Sequence, residues 1–291
     1  MAFDDPEAKM AMAALPELLE LDEVDQHRYR VVQPSESAEG RDVVFGGQLL
    51  AQMIMASDKA GGSAKDVKSI HAIFARAGTY TLPIELEVES MQSGRTWASD
   101  TVTAWQDGRM LSRALVLMSI DDPDIIRHEL AMPEVPGPEG ASTSSGSIYP
   151  GAEMITVGDP GSNGPGGVPA MYFWHRHANS YESPAVNQAI LSWATDGLLI
   201  GLAIEPHQDV LKISDAHRTV STGVIGHTVN FHERFDVGQW LLFAHEATYA
   251  GRGRVHGRGL VFTEDGRLVA TFNQDSMVRG IEGNLDPRRS M

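Results

Sequence analysis

Two stretches of the chain have the hydrophobic pattern of a core helix. In the first, residues 45–62, apolar side chains recur at helical spacing until a pair of glycines ends the run. The second, residues 183–206, opens with Ser-Pro and closes at a proline, which predicts a helix of roughly twenty residues. Asp196 is the only charged residue between positions 186 and 204. An unpaired buried carboxylate costs several kcal/mol, so Asp196 requires a partner or a chemical role.

The pattern changes to that of β-strands after each predicted helix. Residues 69–120 and 227–278 alternate or run apolar, with turn signals such as Asp-Gly between the runs. An additional strand is predicted within residues 21–32. Each group of strands is typical of an antiparallel meander.

Residues 121–168 differ in kind, because prolines, glycines and serines dominate them. This composition indicates an irregular connection between domains. The predicted domains are therefore residues 1–120 and 169–291, joined by the connection 121–168.

The second domain repeats the first. Gln48 matches Gln188 in the helices, and the Asp-Gly-Arg turn at Asp107 matches the one at Asp265. A sheet that carries a helix along one face buries both apolar surfaces, and two such units can join their sheets edge to edge. The predicted fold class is α+β, with the architecture of a double hotdog: an antiparallel sheet wrapped around a long apolar helix, twice in one chain.

The repeat also provides an internal comparison. In the helix register Asp196 falls opposite Ala56, and in the strand register Gln274 falls opposite Val116. Polar residues at core-like positions of one copy alone indicate a functional site in the second half. The alternative is a simple interface hydrogen bond for Asp196 and an exposed strand end for Gln274.

Composition narrows the range of partners. Against 39 acidic residues there are 23 Lys and Arg, a formal net charge of −16, so nucleic acid is not expected as a partner. The absence of cysteine excludes disulfides and thiolate chemistry. The acidic N-terminal segment lacks a secretory pattern, and no stretch is predicted to insert into a membrane, so a cytoplasmic location is expected.

Two further features are candidates for binding. Gly46 and Gly47, at the start of the first core helix, leave backbone N–H groups open to a carbonyl oxygen or an anion, although close packing explains paired glycines equally well. His71, on a strand expected near this turn, is a candidate substrate contact, although a packed histidine is the more common case. No cofactor or metal is expected, since the histidines lack partners at ligand spacing.

Several motifs resemble the acyl-CoA thioesterase II family of double-hotdog enzymes. They are, in chain order, FGGQ at 45–48, SIHAIFARAG at 69–78, ATDGLL at 194–199, HTVNFHERF at 227–235, WLLF at 240–243, DGRLVAT at 265–271 and the block around Gln274. In that family an Asp, a Thr or Ser and a Gln hold the attacking water. The resemblance implies Asp196 and Gln274 for two of these roles. Val224 occupies the hydroxyl position, and Thr222 on the same strand face is the candidate substitute.

The resemblance implies hydrolysis of acyl-CoA to a fatty acid and coenzyme A, with Asp196 as base or water anchor. It also implies a homodimer or a larger homo-oligomer. Two alternatives are a catalytically weak acyl-CoA-binding protein and a hotdog enoyl-CoA hydratase. The hydratase requires an Asp and a His in one pocket, and no such pair is expected from the register.

Overall fold

The computed structural model describes residues 15–31, 33, 42–62, 64–141, 145–146, 151–212 and 219–281. The helices in these ranges are α1 (Leu15–Leu18), α2 (Gly46–Ala60), α3 (Pro184–Thr195) and α4 (Leu199–Ile204). The strands are β1 (Asp22–Asp25), β2 (Arg28–Val31), β3 (Asp66–Phe74), β4 (Ile84–Ser93), β5 (Trp97–Gln106), β6 (Arg109–Ser119), β7 (Ser145–Gly146), β8 (Ala152–Asn163), β9 (Pro169–His177), β10 (Val220–Phe231), β11 (Leu241–Gly251), β12 (Arg254–Thr263) and β13 (Leu268–Gly280).

All of these strands belong to one antiparallel sheet. Its order is β1-β2-β4-β5-β6-β3-β10-β13-β12-β11-β9-β8-β7. Outwards from the central β3–β10 pair, the first three strands on each side follow one another in the same chain order, β6-β5-β4 on one side and β13-β12-β11 on the other, so the two halves have matching topology. The predicted α+β class and double hotdog are confirmed.

The central pair fuses the two halves into one body. In its antiparallel register Thr228 pairs with His71 and Val229 with Ile70. Because the sheet curls, α2 and α3 pack against each other beneath this pair, and one continuous hydrophobic core includes both helices. Leu50 and Ile54 of α2 and Ile190 of α3 are completely buried within it.

The second core helix is broken, which the sequence pattern did not predict. α3 ends at Thr195, Asp196 is its C-cap residue, and the chain resumes as α4 at Leu199. Asp196 therefore lies at a helix end and not in the middle of a continuous helix. The interruption places Asp196 beside polar side chains of the sheet, described below.

The predicted irregular connection is also corrected in part. Residues 152–163 form β8, which pairs with β9 and extends the sheet of the second half. The alternating burial of Met154 and Thr156 explains this strand, which the flanking glycines and prolines obscured. The domain limits 1–120 and 169–291 stay a prediction.

Among the described residues, one segment, Pro184–His207, is long and apolar enough to cross a membrane by length and composition, and 67% of its most apolar 18-residue stretch is buried inside the protein. This burial is typical of a core helix. It agrees with the role of α3 and α4 in covering the sheet.

His245 is an unusual residue of the second half's core. It is completely buried among Phe173, Phe243 and Phe272, with ring centroids 4.9 to 6.1 Å away. Neither ring nitrogen has a hydrogen-bond partner among the described residues. Burial, and then the nearby His227, lower the pKa of His245 to about 3. Burial and the charge of His177 lower the pKa of His175 on β9 to about 3 as well.

These two histidines predict a loss of stability in mild acid. The unfolded chain protonates histidine near its ordinary pKa of about 6.5, whereas the folded chain keeps both rings neutral until about pH 3. Each ring therefore removes about 1.4 kcal/mol of unfolding free energy per pH unit below about 6.5. Between pH 6.5 and 5.5, denaturant unfolding of His245→Leu should show a smaller loss than the native chain by about 1 kcal/mol, because half of the unfolded histidine is already protonated at pH 6.5. The exposed His207→Leu is the control, and an unchanged pH slope in His245→Leu would contradict the assignment.

Candidate active site

Asp196 and Gln274 meet inside the second half, as predicted. The amide Nε2 of Gln274 donates to Asp196 Oδ1 at 2.9 Å and also lies 3.3 Å from the Asp196 carbonyl oxygen. Asp196 is 6% exposed and Gln274 1% exposed. The alternative of a solvent-exposed strand end for Gln274 is therefore wrong, because its side chain faces inward from β13.

Gly46 brings the first half into contact with this pair. A Cβ atom added to Gly46 would lie 2.6 Å from Asp196 Oδ2, so a larger residue would displace the carboxylate. Gly46 and Gly47 are the first residues of α2, and no described residue accepts a hydrogen bond from their N–H groups. The positive end of the α2 dipole thus faces the carboxylate and stabilises a negative charge there.

Gly47 has a different function in the packing. A Cβ atom at Gly47 would lie 2.7 Å from the carbonyl oxygen of Trp193 and 2.5 Å from the Phe45 ring. Its missing side chain lets α2 approach the backbone of α3 closely. The packing interpretation therefore applies to Gly47, while its free N–H group remains available.

His227 is a member of the site that the sequence argument missed. Its Nδ1 lies 3.2 Å from Asp196 Oδ1 and 3.1 Å from Gln274 Nε2, and its Nε2 lies 2.9 Å from Thr195 Oγ1. The expectation that no Asp and His fall together was wrong. The pair arises because β10 runs beside β13 and opposes Gln274 with His227, a register that the sequence alone does not specify.

A β-bulge explains the geometry around the missing hydroxyl. Val224 pairs with Ser276 and His227 with Gln274, so β10 uses one residue more than β13 over this interval. Both Val224 and His227 therefore face inward, although they are three positions apart in the sequence. Ser276 is buried and its Oγ donates to Gln274 Oε1 at 3.3 Å. A hydroxyl is thus present on β13, directly across from Val224.

The structure does not bring Thr222 to the pair. Its cross-strand partner is Val278, four residues along β13 from Gln274, a separation of about 13 Å at the usual rise of a strand. The sequence alone could have indicated Ser276, because residues two positions apart on a strand share a face and Ser276 lies two positions after Gln274.

His71 also lies apart from the site, which corrects its expected position. Its ring is exposed on the outer face of the sheet and its Nδ1 is 2.6 Å from Thr228 Oγ1. Successive strand residues point to opposite faces, so Ala72 and Phe74, not His71, face inward. Phe74 comes within 3.4 Å of the Cβ position of Gly46 and lines the site instead.

The polar network exists in one half only. Besides Asp196 and Gln274, it includes Thr195, His227 and Ser276. The corresponding residues of the first half follow from matching Gln48 to Gln188, Asp107 to Asp265 and Phe74 to Phe231. These are Met55, Ala56, Ile70, Val116 and Met118, most of them fully buried. The fold is therefore stable with apolar residues at all five positions, which supports a functional role for the polar set.

No group of three or more His, Cys, Asp or Glu side chains suited to a metal ion occurs in the part of the chain that the structure describes. The arrangement offers instead a carboxylate, an amide, an imidazole, a hydroxyl and free backbone N–H groups. These are the components for positioning and deprotonating a water molecule beside a polarised carbonyl.

Comparisons with known proteins agree with this architecture. Acyl-CoA thioesterase 2 of Haemophilus influenzae is 26% identical over 285 residues, covering 90% of this chain and 96% of its own. Human acyl-coenzyme A thioesterase 8 is 28% identical over 265 residues, covering 81% and 80%. The crystal structure of an acyl-CoA thioesterase II from Mycobacterium marinum superposes with a TM-score of 0.79 at 23% identity, covering 94% and 100%, and is similar in fold.

Two family models match in tandem. The acyl-CoA thioesterase N-terminal domain matches residues 33–119, and the acyl-CoA thioesterase C-terminal domain matches residues 129–278. Together they span most of the chain, and we conclude that it belongs to the acyl-CoA thioesterase family.

Proposed function

We propose that the chain hydrolyses acyl-CoA thioesters with a water molecule held by Asp196 and Gln274. The observation that carries this proposal is that the two oxygens of the Asp196 carboxylate have different surroundings. Oδ1 accepts a hydrogen bond from Gln274 and lies 3.2 Å from His227 Nδ1, whereas Oδ2 faces Gly46 at the start of α2 and accepts no hydrogen bond from a described residue. Oδ2 is thus the oxygen available to a reacting water.

Gln274 holds the water through its carbonyl oxygen. Its Nε2 lies within hydrogen-bond distance of Asp196 and His227, which accounts for both of its hydrogens. Oε1 has one partner, Ser276, at the long distance of 3.3 Å, and can accept a further hydrogen bond. A water that donates to Asp196 Oδ2 and to Gln274 Oε1 has its lone pair free to attack.

The free N–H groups of Gly46 and Gly47 stabilise the oxyanion that forms on the thioester carbonyl. Water adds to the carbonyl carbon while its proton passes to Asp196. The carbon–sulfur bond then breaks, the coenzyme A thiolate leaves, and the proton on Asp196 passes to the sulfur. The products are a fatty acid and coenzyme A, and the carboxylate is regenerated. Phe45, Phe74 and Trp193 form an apolar wall beside this region.

The hydratase alternative is not favoured, even though an Asp and a His meet in the site. Both tandem family models describe acyl-CoA thioesterases. The His227 side chain has no exposed surface and lies behind Asp196 and Gln274, so it is poorly placed to contact a substrate.

The central test is Asp196→Asn, which keeps the shape of the side chain and removes the base. We expect kcat for acyl-CoA hydrolysis to fall by about 100-fold or more, the usual range for the loss of a general base. The control is Glu264→Gln, an exposed carboxylate in a turn of the second half. Release of coenzyme A is measured over several acyl chain lengths. Equal activity of Asp196→Asn and the native chain would refute the role of Asp196, and binding without turnover by the native chain would indicate the weak acyl-CoA-binding alternative.

A second pair of variants identifies the hydroxyl that supports the site. Ser276→Ala removes the donor to Gln274 Oε1, and we expect kcat to fall by about 10-fold, equivalent to about 1.4 kcal/mol for a buried hydrogen bond. Thr222→Val is nearly isosteric and lies about 13 Å along the strand, so we expect it to retain activity within about twofold. The reverse order of the two effects would restore Thr222 as the functional hydroxyl.

The proposal includes assembly into a homo-oligomer through the outer face of the sheet. Ile73 and Leu115 are each 51% exposed there, and Leu117 and Ile225 are each 39% exposed. Exposed apolar groups clustered on one face are typical of an interface. Sedimentation velocity should give at least twice the mass of one chain, and Ile73→Asp should shift the protein towards monomer while the exposed Ile126→Asp does not. A monomeric native chain would contradict this assignment.

A further inference from the structure

The direction of one buried hydrogen bond determines where His227 carries its proton. The side chain of Thr195, at the end of α3, is completely buried, and its Oγ1 donates to the Ser192 carbonyl oxygen at 2.8 Å. A hydroxyl has a single hydrogen, so Oγ1 must act as acceptor towards His227 Nε2, 2.9 Å away. Nε2 therefore carries a hydrogen, and Nδ1 of the neutral ring is a lone pair.

This lone pair in turn orients the amide of Gln274. An acceptor at Nδ1 and a carboxylate at Asp196 Oδ1 both require a donor, and Gln274 Nε2 lies 3.1 Å from the first and 2.9 Å from the second. The opposite orientation would place Oε1 against two acceptors. Oε1 is thereby directed towards Ser276 and the water position.

Protonation of His227 would undo this arrangement. Nδ1 would become a donor to Asp196 Oδ1, 3.2 Å away, and would form an ion pair with it. Gln274 would then lose one of its two acceptors, and the carboxylate would become a weaker base. The ionisable groups that face His227 are Asp196 at the end of α3 and His245 on β11, while its neighbours on β13 are the uncharged Gln274 and Phe272.

We propose that His227 is a positioning residue that couples the protonation state of the site to the orientation of Gln274, with Thr195 holding its Nε2–H. The inference rests on the proposed function and extends it to a residue that does not touch the substrate. The counterparts of Thr195 and His227 in the first half are Met55 and Ile70, so neither polar group is required by the fold.

The tautomer is tested directly, without any assay of activity. Long-range ¹H–¹⁵N NMR spectra of ¹⁵N-histidine-labelled protein at pH 8 report which ring nitrogen carries the hydrogen, and the signal lost in His227→Asn identifies the residue. We expect the neutral Nε2–H form in the native chain and a mixture of tautomers in Thr195→Val. A neutral Nδ1–H form, or an imidazolium at pH 8, would overturn the proposal.

The kinetic test separates positioning from packing. In His227→Asn the side-chain oxygen takes the place of Nδ1 as acceptor for Gln274 but cannot gain a proton. We expect kcat within about 10-fold of the native value at pH 8 and a pH–activity profile that differs from the native one on its acid side. His227→Leu should reduce kcat by about 10-fold to 100-fold at every pH, with KM changed by less than about threefold. His256→Asn, on the outer face of β12, is the matched control and should keep the native pH profile.

Thermal unfolding of each variant verifies that it is folded before its kinetics are compared. Native activity in His227→Leu, or the native acid limb in His227→Asn, would refute the positioning role. If the native chain hydrolyses no acyl-CoA, the proposed function fails, and the NMR result alone then supports or refutes the assignment of His227.

Discussion

An ionised carboxylate that is withdrawn from water has to receive its hydrogen bonds from the protein, and this requirement shapes the whole second half of the molecule. Asp196 Oδ1 receives a hydrogen bond from Gln274, while Oδ2 lies at the start of α2, where the helix dipole favours a negative charge. The negative end of α3 makes its own terminus an unfavourable place for this charge, whereas the positive end of α2 compensates. The break between α3 and α4, the glycine at position 46 and the polar residue in β13 all follow from this one requirement.

The pairing of β3 with β10 makes that solution possible, because it fixes the two helices against each other. Gly46 belongs to the first half, while Asp196, His227 and Gln274 belong to the second. The site is therefore a property of the fused chain, and neither half contains it alone. A chain of hydrogen bonds links its members: Thr195 donates to the Ser192 carbonyl, His227 contacts Thr195, and Gln274 contacts His227.

The repeat allowed the main elements of the site to be predicted, since Asp196 and Gln274 stand out against apolar counterparts at matched positions. What the sequence could not provide was register. The bulge after Val224 turns His227 inward, and strand alternation turns His71 outward, and both depend on pairing between strands that are distant in sequence. The helix break at Asp196 was missed for a related reason, because the apolar pattern continues on both sides of it.

The matching topology of the halves has a consequence for stoichiometry. A symmetric pair of units would offer two equivalent positions where the start of one helix meets the end of the other. Here the second position lacks both the glycine and the carboxylate. Val186 stands where the register would require the glycine, and Ala56 stands where it would require the carboxylate. Under the proposed function, the described residues therefore contain one reaction centre, to which the first half contributes a single helix terminus. Counting of competent sites by a tight-binding thioester analogue would saturate at one equivalent per chain.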